Sequence, residues 1–196
     1  MNPTIQTYDQ IAVEFARQTW GIRLERALDS FARYLISPAR VLDLGCGPGR
    51  DLSLLRQRGV HALGADLSLG MLHAAQVRVG GALVCADMRA LPCASATFDG
   101  IWLCAALLHL PRGDAPRALA EARRILHARR PLYVSVQQGE GEQWIETRGA
   151  RLLVYYQPED LAAIVRAAGF GIPELWLNVD ETRAHVQWIN LIALAE

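Results

Sequence analysis

The sequence predicts an α/β protein: a seven-stranded, mostly parallel sheet with helices on both faces and an antiparallel final strand. Three observations predict it. Short apolar runs alternate with segments of helical periodicity, the pattern of a parallel sheet covered on both sides. A glycine-rich turn, Gly45-Cys46-Gly47-Pro48-Gly49, joins the first apolar run to a helix. The last two strand-like runs are linked only by Asp180 to Arg183, too short for a parallel crossover, so they are expected as antiparallel neighbours.

Residues 8–20 and 21–36 are expected as two helices ahead of the sheet, with Leu24, Ala27, Leu28, Phe31 and Leu35 on one face of the second. Ser37-Pro38 ends that helix, because the residue before a proline is pushed out of the helical region. Arg40 to Leu44 is the first strand, and the helix near 50–58 stops at Gly59. His61 to Asp66 is the second strand; Ser68 then caps a helix reaching about Val79, ended by Gly80-Gly81. Ala82 to Cys85 and Phe98 to Cys104 are the third and fourth strands, and 114–127 is an amphipathic helix with Ala118, Leu119, Ala122, Ile125 and Leu126 inward. Leu132 to Val136 is the fifth strand.

A polar, Gly-rich stretch, 137–149, then leads to Arg151–Tyr156. Pro158-Glu159-Asp160 opens a last helix, since proline costs no hydrogen bond in a first turn and acids suit the N-terminal dipole. Strands at about 173–179 and 184–193 complete the sheet. The 196 residues suit one domain, with 1–37 as a helical lid, 38–196 as the core and 137–156 as a substrate loop.

Lys plus Arg and Asp plus Glu number 20 each, so the chain lacks the basic excess with which a dedicated nucleic-acid binder neutralises phosphates. The densest basic run, Arg123 to Arg130, reads as a solvated helix C-terminus. Cys46, Cys85, Cys93 and Cys104 show no C-x-x-C and no Cys/His ligand spacing. They read as buried or partly buried free thiols of a reducing compartment, and no metal is expected. The first ten residues lack the apolar segment of a signal peptide, and no apolar run is long enough to span a bilayer. A cytoplasmic monomer or homodimer without membrane contact is the expectation.

The chemistry concentrates in Val41 to Arg50, where strand, glycine turn and helix start follow one another. Glycines let the backbone approach a ligand, and a helix N-terminus offers free N–H groups. Asp66 ends the next strand about 20 residues on, where a carboxylate can accept from both hydroxyls of a ribose. A dinucleotide fingerprint would place Gly or Ala where Arg50 stands, so a nucleoside without pyrophosphate fits better than a nicotinamide dinucleotide.

Asp43-Leu44-Gly45-Cys46-Gly47-Pro48-Gly49 resembles the first motif of the class I S-adenosylmethionine-dependent methyltransferases. Gly64-Ala65-Asp66-Leu67-Ser68 with Met71-Leu72, Ala86-Asp87-Met88 with Leu91-Pro92, Phe98-Asp99, Leu107 to Leu110, and Tyr156 to Phe170 continue the likeness in order, from about Tyr8 to the C-terminus. The resemblance implies a Rossmann-like αβα sandwich that binds S-adenosyl-L-methionine and releases S-adenosyl-L-homocysteine. It places Gly45, Cys46, Gly47 and Gly49 at the cofactor's methionine part, with Asp43 orienting the loop and the cofactor amino group. Asp66 is implied at the ribose, Leu67 and Met71 against the adenine, and Asp87 at the adenine amino group with the Met88 backbone beside it. Cys104 and Ala105 fall near the sulfonium, and Tyr8 closes over the cofactor carboxylate. The family's usual Leu-x-Pro-Gly-Gly before the fifth strand is replaced by Leu126-His127-Ala128-Arg129-Arg130-Pro131, so that turn must take another shape.

His109 follows the fourth strand on the substrate side, where it serves either as a general base or as a pocket wall and helix-entry cap. Trp144 is either a lid contact or an anchor for its long loop. No Asn/Asp-Pro-Pro-Tyr/Phe follows the fourth strand, which disfavours the amino-directed nucleic-acid and glutamine methyltransferases. A small-molecule acceptor without nucleic acid is therefore expected. A silent cofactor-binding module, a nicotinamide-dependent oxidoreductase and an aminopropyltransferase are the rival readings.

Overall fold

In the computed structural model, residues 2–180 and 183–196 are described. Six α-helices and nine strands follow in order, four of the helices ahead of the third strand: α1 (Pro3–Thr19), α2 (Glu25–Ala32), β1 (Arg40–Leu44), α3 (Arg50–Gln57), β2 (His61–Asp66), α4 (Leu69–Arg78), β3 (Leu83–Cys85), β4 (Gly100–Cys104), α5 (Ala115–Ile125), β5 (Pro131–Gln137), β6 (Glu142–Ile145), β7 (Arg151–Val154), α6 (Pro158–Ala167), β8 (Phe170–Val179) and β9 (Gln187–Ala195). The main sheet has seven strands in the order β3-β2-β1-β4-β5-β9-β8. β3 to β5 run parallel, while β9 is antiparallel to both β5 and β8. This is the expected Rossmann-like αβα sandwich. Of the predicted link between the last two strands, Glu181 and Thr182 lie outside the described residues.

Alternation along each strand sends side chains to two core layers. Leu42, Ile101, Leu103, Leu132 and Val134 pack towards α5 and α6, against Leu119, Ile125, Leu161 and Val165. Val41, Trp102 and Tyr133 point the other way, towards Phe31 of α2 and Leu52 and Leu55 of α3. Trp102 stacks on Tyr133 with ring centroids 4.0 Å apart, an arrangement that adds about 1 kcal/mol beyond area burial.

The N-terminal helices differ from the expectation. The first begins at Pro3 because Asn2 caps it, its side-chain oxygen accepting from the Thr4 N–H at 2.9 Å, with proline in the first turn. The second is confined to Glu25–Ala32 and belongs to the core layer, so only α1 lies where a lid was expected. The stretch 137–156 is not a loop throughout: β6 and β7 pair as an antiparallel hairpin. Ahead of β5, Arg129 takes the left-handed conformation (φ +61°) that the family leaves to glycine, and its N–H bonds to the Ala195 carbonyl at 2.7 Å. Cys85 is exposed rather than buried. Among the described residues, no helix is long and apolar enough to cross a membrane, and no cluster of three His, Cys, Asp or Glu could hold a metal.

Candidate functional site

A cavity of about 1080 Å³, its open mouth included, lies at the C-terminal ends of β1, β2 and β4 and beneath α1. Open α/β sheets bind ligands at this place, where the loops leave the strands. Tyr8, Gly45, Cys46, Gly47, Asp66, Leu67, Met71, Asp87, Met88, Cys104, Ala105 and His109 all line it. Twelve of the fourteen residues singled out in the sequence are thus brought together.

The glycine turn is tied to its neighbours by backbone bonds. Gly45 and Cys46 both donate to the Ala65 carbonyl, at 2.7 and 3.0 Å. Gly45, Gly47 and Gly49 all have positive φ, the region that side-chain-bearing residues avoid. A Cβ on Gly45 would stand 2.3 Å from the Ala106 Cβ, whereas one on Gly47 would meet nothing within 4 Å. Gly45 is therefore needed by the protein's own packing, and Gly47 keeps open a space that faces the cavity.

Gly49 does not line the cavity. It begins α3 from behind the turn, where a Cβ would strike Val79 at 2.7 Å and Ala75 at 3.2 Å. Its requirement comes from helix packing. Asp43 also lies off the cavity wall, on the Trp102 face of β1 and in register with it.

Asp66 spans the turn and the start of α4. Its Oδ2 accepts from the Gly47 N–H at 2.9 Å and its Oδ1 from the Ser68 N–H at 2.8 Å. Burial raises its carboxyl above the usual range, partly offset by those N–H donors. Leu67, Met71 and Met88 give the adjacent wall an apolar lining.

A buried ionic group lies under the turn. Arg50 grips Asp51 through Nε–Oδ1 at 2.5 Å and Nη2–Oδ2 at 2.9 Å, and Trp102 donates to Asp51 Oδ2 at 2.8 Å. Burial opposes the ionisation of Asp51, but Arg50 and the Trp102 N–H outweigh it and hold the carboxyl below its usual range. Asp43 has the opposite fate. Burial, with Asp51 charged beside it, pushes its carboxyl well above the carboxylate range. Its Oδ2 is buried with no hydrogen-bond partner. Such an oxygen is costly to enclose without a partner.

Asp87 is held differently from the expectation. Arg89 clamps both of its oxygens, with Nη2–Oδ2 at 2.6 Å, and reaches on to Asp114 at 2.6 Å. The hydrogen bonds from Arg89 keep its carboxyl below the usual range. Ala105 is held in the left-handed region (φ +52°) at the end of β4, its N–H donating to both the carbonyl and the hydroxyl of Ser135 at 3.1 Å. Backbone strain of this kind concentrates at ligand sites.

On the α1 side, His109 ends a short 3-10 turn, Leu107–His109. Its Nδ1 is 2.8 Å from the Leu152 carbonyl, and its Nε2 is 2.7 Å from the Tyr8 hydroxyl. A carbonyl only accepts, so Nδ1 carries the proton and Nε2 accepts from Tyr8. Burial lowers the imidazole from 6.5 to about 4. The neutral ring lines the cavity with both nitrogens engaged and ties α1 to β7. Asp9 adds a second anchor, accepting from the Ser68 hydroxyl at 2.7 Å and the Gly70 N–H at 2.9 Å. Trp144 is about half exposed on β6 and does not reach the cavity.

Sequence reasoning missed Asp51, Asp9, Arg89 and Arg151. Asp51 follows Arg50 in the first turn of an amphipathic helix, where an acid is ordinary, so nothing in the pattern marked it as buried. The Asp9 anchor joins segments 59 residues apart, beyond any local signal.

A family model described as a methyltransferase domain matches residues 41–129. The malonyl-[acyl-carrier protein] O-methyltransferase of Laribacter hongkongensis is 37% identical over 134 residues, covering 61% of this chain and 43% of that protein. The trans-aconitate 2-methyltransferase of Methylobacterium nodulans is 50% identical over 62 residues, 30% of this chain and 24% of that protein. The chain thus matches less than half the length of these curated relatives. In fold it is similar to the Burkholderia thailandensis 1,6-didemethyltoxoflavin-N1-methyltransferase solved with S-adenosylhomocysteine, with TM-score 0.76, 22% identity, and coverage of 98% and 88% of the two chains.

Proposed function

We propose that this chain is a class I S-adenosylmethionine-dependent methyltransferase that moves the sulfonium methyl of S-adenosyl-L-methionine to a small-molecule acceptor, a reading supported by the matching family model and relatives. The observation that carries the reading is the glycine turn at the cavity, whose Gly47 donates to Asp66 and leaves open space on the cavity side. The amino-acid end of the cofactor would occupy that space, with Asp66 facing the ribose hydroxyls and Leu67, Met71 and Met88 the adenine. These residues carry the roles that the sequence resemblance implies.

When bound, the cofactor supplies an activated methyl group, so the protein's part is positioning and exclusion of water. Asp43 orients the amino-acid end, the Gly45–Gly47 backbone allows close approach, and Ala105 closes the wall near the reacting centre. α1, pinned through Tyr8 and Asp9, covers the cavity. His109 sets the position of Tyr8 and leaves its lone pair engaged, so an acceptor that has to be deprotonated before attack would arrive ionised or pass its proton to another group.

The test is calorimetric titration with S-adenosylmethionine and S-adenosylhomocysteine, repeated on Asp66→Ala. Saturable binding that falls by about a hundredfold or more in the variant supports the site. Folded protein that binds neither ligand would reject it and send the search to nicotinamide cofactors. Binding without turnover across an acceptor panel would favour the silent module.

A further inference from the structure

The arginines on the cavity wall are paired: Arg50 is bound by Asp51, and Arg89 by Asp87 and Asp114. Arg151, half-buried at the start of β7, lies beside that wall rather than on it and is not paired. Its Nε is buried and makes no hydrogen bond. Its Nη2 is fixed by the Thr147 carbonyl at 2.9 Å, which holds the guanidinium in place. The group lies beside the Tyr8 ring, 5.8 Å from its centroid, and next to the Tyr8 hydroxyl. The titratable groups facing it from the packed elements, Tyr8 and His109, are both neutral, and among the described residues no ion pair includes Arg151.

Arg151 is half-buried, but its enclosed Nε leaves one N–H donor without a partner, which an anionic oxygen would satisfy. Here the neighbours are cavity-lining groups of the methyl-transfer site, and the fixed guanidinium offers an Nε–H suited to an anionic oxygen. From this geometry we propose that Arg151, beside the cavity-lining Tyr8, is a carboxylate-binding subsite at the edge of the cavity, satisfied by a carboxylate of the bound ligands. The proposal rests on the cofactor reading above and deepens it. Two ligands could bring that group: the acceptor, or the amino-acid end of the cofactor. An acceptor carrying a carboxylate would be held by the hairpin while α1 closes over it.

The experiment measures four probes on the whole chain, its Arg151→Leu variant and its Arg151→Lys variant. S-adenosylhomocysteine and 5′-methylthioadenosine, which lacks the amino-acid end, are titrated by calorimetry. Malonate and its uncharged dimethyl ester are followed by ligand-observed NMR with and without S-adenosylhomocysteine. An acceptor subsite is expected to lose malonate binding by at least tenfold in Arg151→Leu, with partial recovery in Arg151→Lys and no change for either nucleoside or for the ester. Loss confined to S-adenosylhomocysteine, with 5′-methylthioadenosine unchanged, assigns the subsite to the cofactor carboxylate instead. If the folded variants bind all four probes as the parent does, the subsite is overturned. Should Arg151→Leu fail to fold, the charge-retaining Arg151→Lys and the neutral, hydrogen-bonding Arg151→Gln carry the same comparison. Failure of the cofactor reading is separately visible, as a parent chain that binds neither nucleoside.

Discussion

The Tyr8 hydroxyl and the His109 imidazole are joined by a 2.7 Å hydrogen bond that spans 101 residues and attaches the first helix to the end of the fourth strand. His109 is pinned on its other side by Leu152 of the hairpin, so α1, β4 and β7 meet at one ring. The pair is built as a joint between three elements, and that arrangement sets what the histidine can do.

Replacing His109 with Gln is expected to lower kcat/KM by less than about tenfold, the size of a positioning loss rather than the ~10²–10⁴ of a missing general base. The parent's rate should show no break near pH 6.5, since the folded imidazole stays neutral down to about 4. The linkage has a definite sign: an imidazole depressed in the folded state contributes stability above 6.5 that is lost as pH falls towards 4. That difference corresponds to roughly 3 kcal/mol at most. Denaturant melts at pH 7 and 4.5 should show a smaller acid loss in His109→Gln. An equal loss in both proteins would refute the placement.

Asp43→Asn separates folding from binding. A carboxyl raised by burial weakens the fold once pH exceeds the unfolded value, because ionisation is easier in the open chain. Removing it should raise Tm at pH 7.5 by a few degrees, at ~2–4 °C per kcal/mol for a chain of this size. The gain should vanish near pH 3. S-adenosylmethionine affinity, measured by calorimetry, should fall at least tenfold in the same variant, because Asp43 sets the loop that receives the cofactor. A less stable variant with unchanged affinity would contradict this account.

The glycine turn offers a paired comparison. Gly47→Ala adds a methyl to open space, with only the left-handed backbone strain of about 1–2 kcal/mol to bear. It should fold and lose cofactor binding by more than tenfold. Gly45→Ala would press on Ala106 at 2.3 Å and should be distinctly less stable. Circular dichroism melts beside calorimetric titration read both effects; a Gly47→Ala protein that binds normally would show that no ligand occupies that space.

Much of this molecule was legible in the chain because its signals are local. A strand of buried residues followed by a glycine turn, and an acid closing the next strand, depend on backbone sterics and alternation that operate within a few residues. Hence β1, β2, the turn, Asp66 and the antiparallel closure at β9 emerged where expected. Helix ends were less sharp, as with Asn2, whose cap moved α1 forward by five residues from the expected start at Tyr8.

What the sequence by itself determined was the main sheet with its flanking helices and most of the residues that gather at the strand ends. Only the tertiary structure decided what each of those residues is free to do. Gly49 is claimed by Val79 and Ala75, Asp87 by Arg89, and His109 by Tyr8 and Leu152, while Asp43 Oδ2 and Arg151 Nε are left without partners. The physical reason is that a polar group's role depends on its desolvation and on the partners brought within about 3 Å, and those partners arrive from distant parts of the chain.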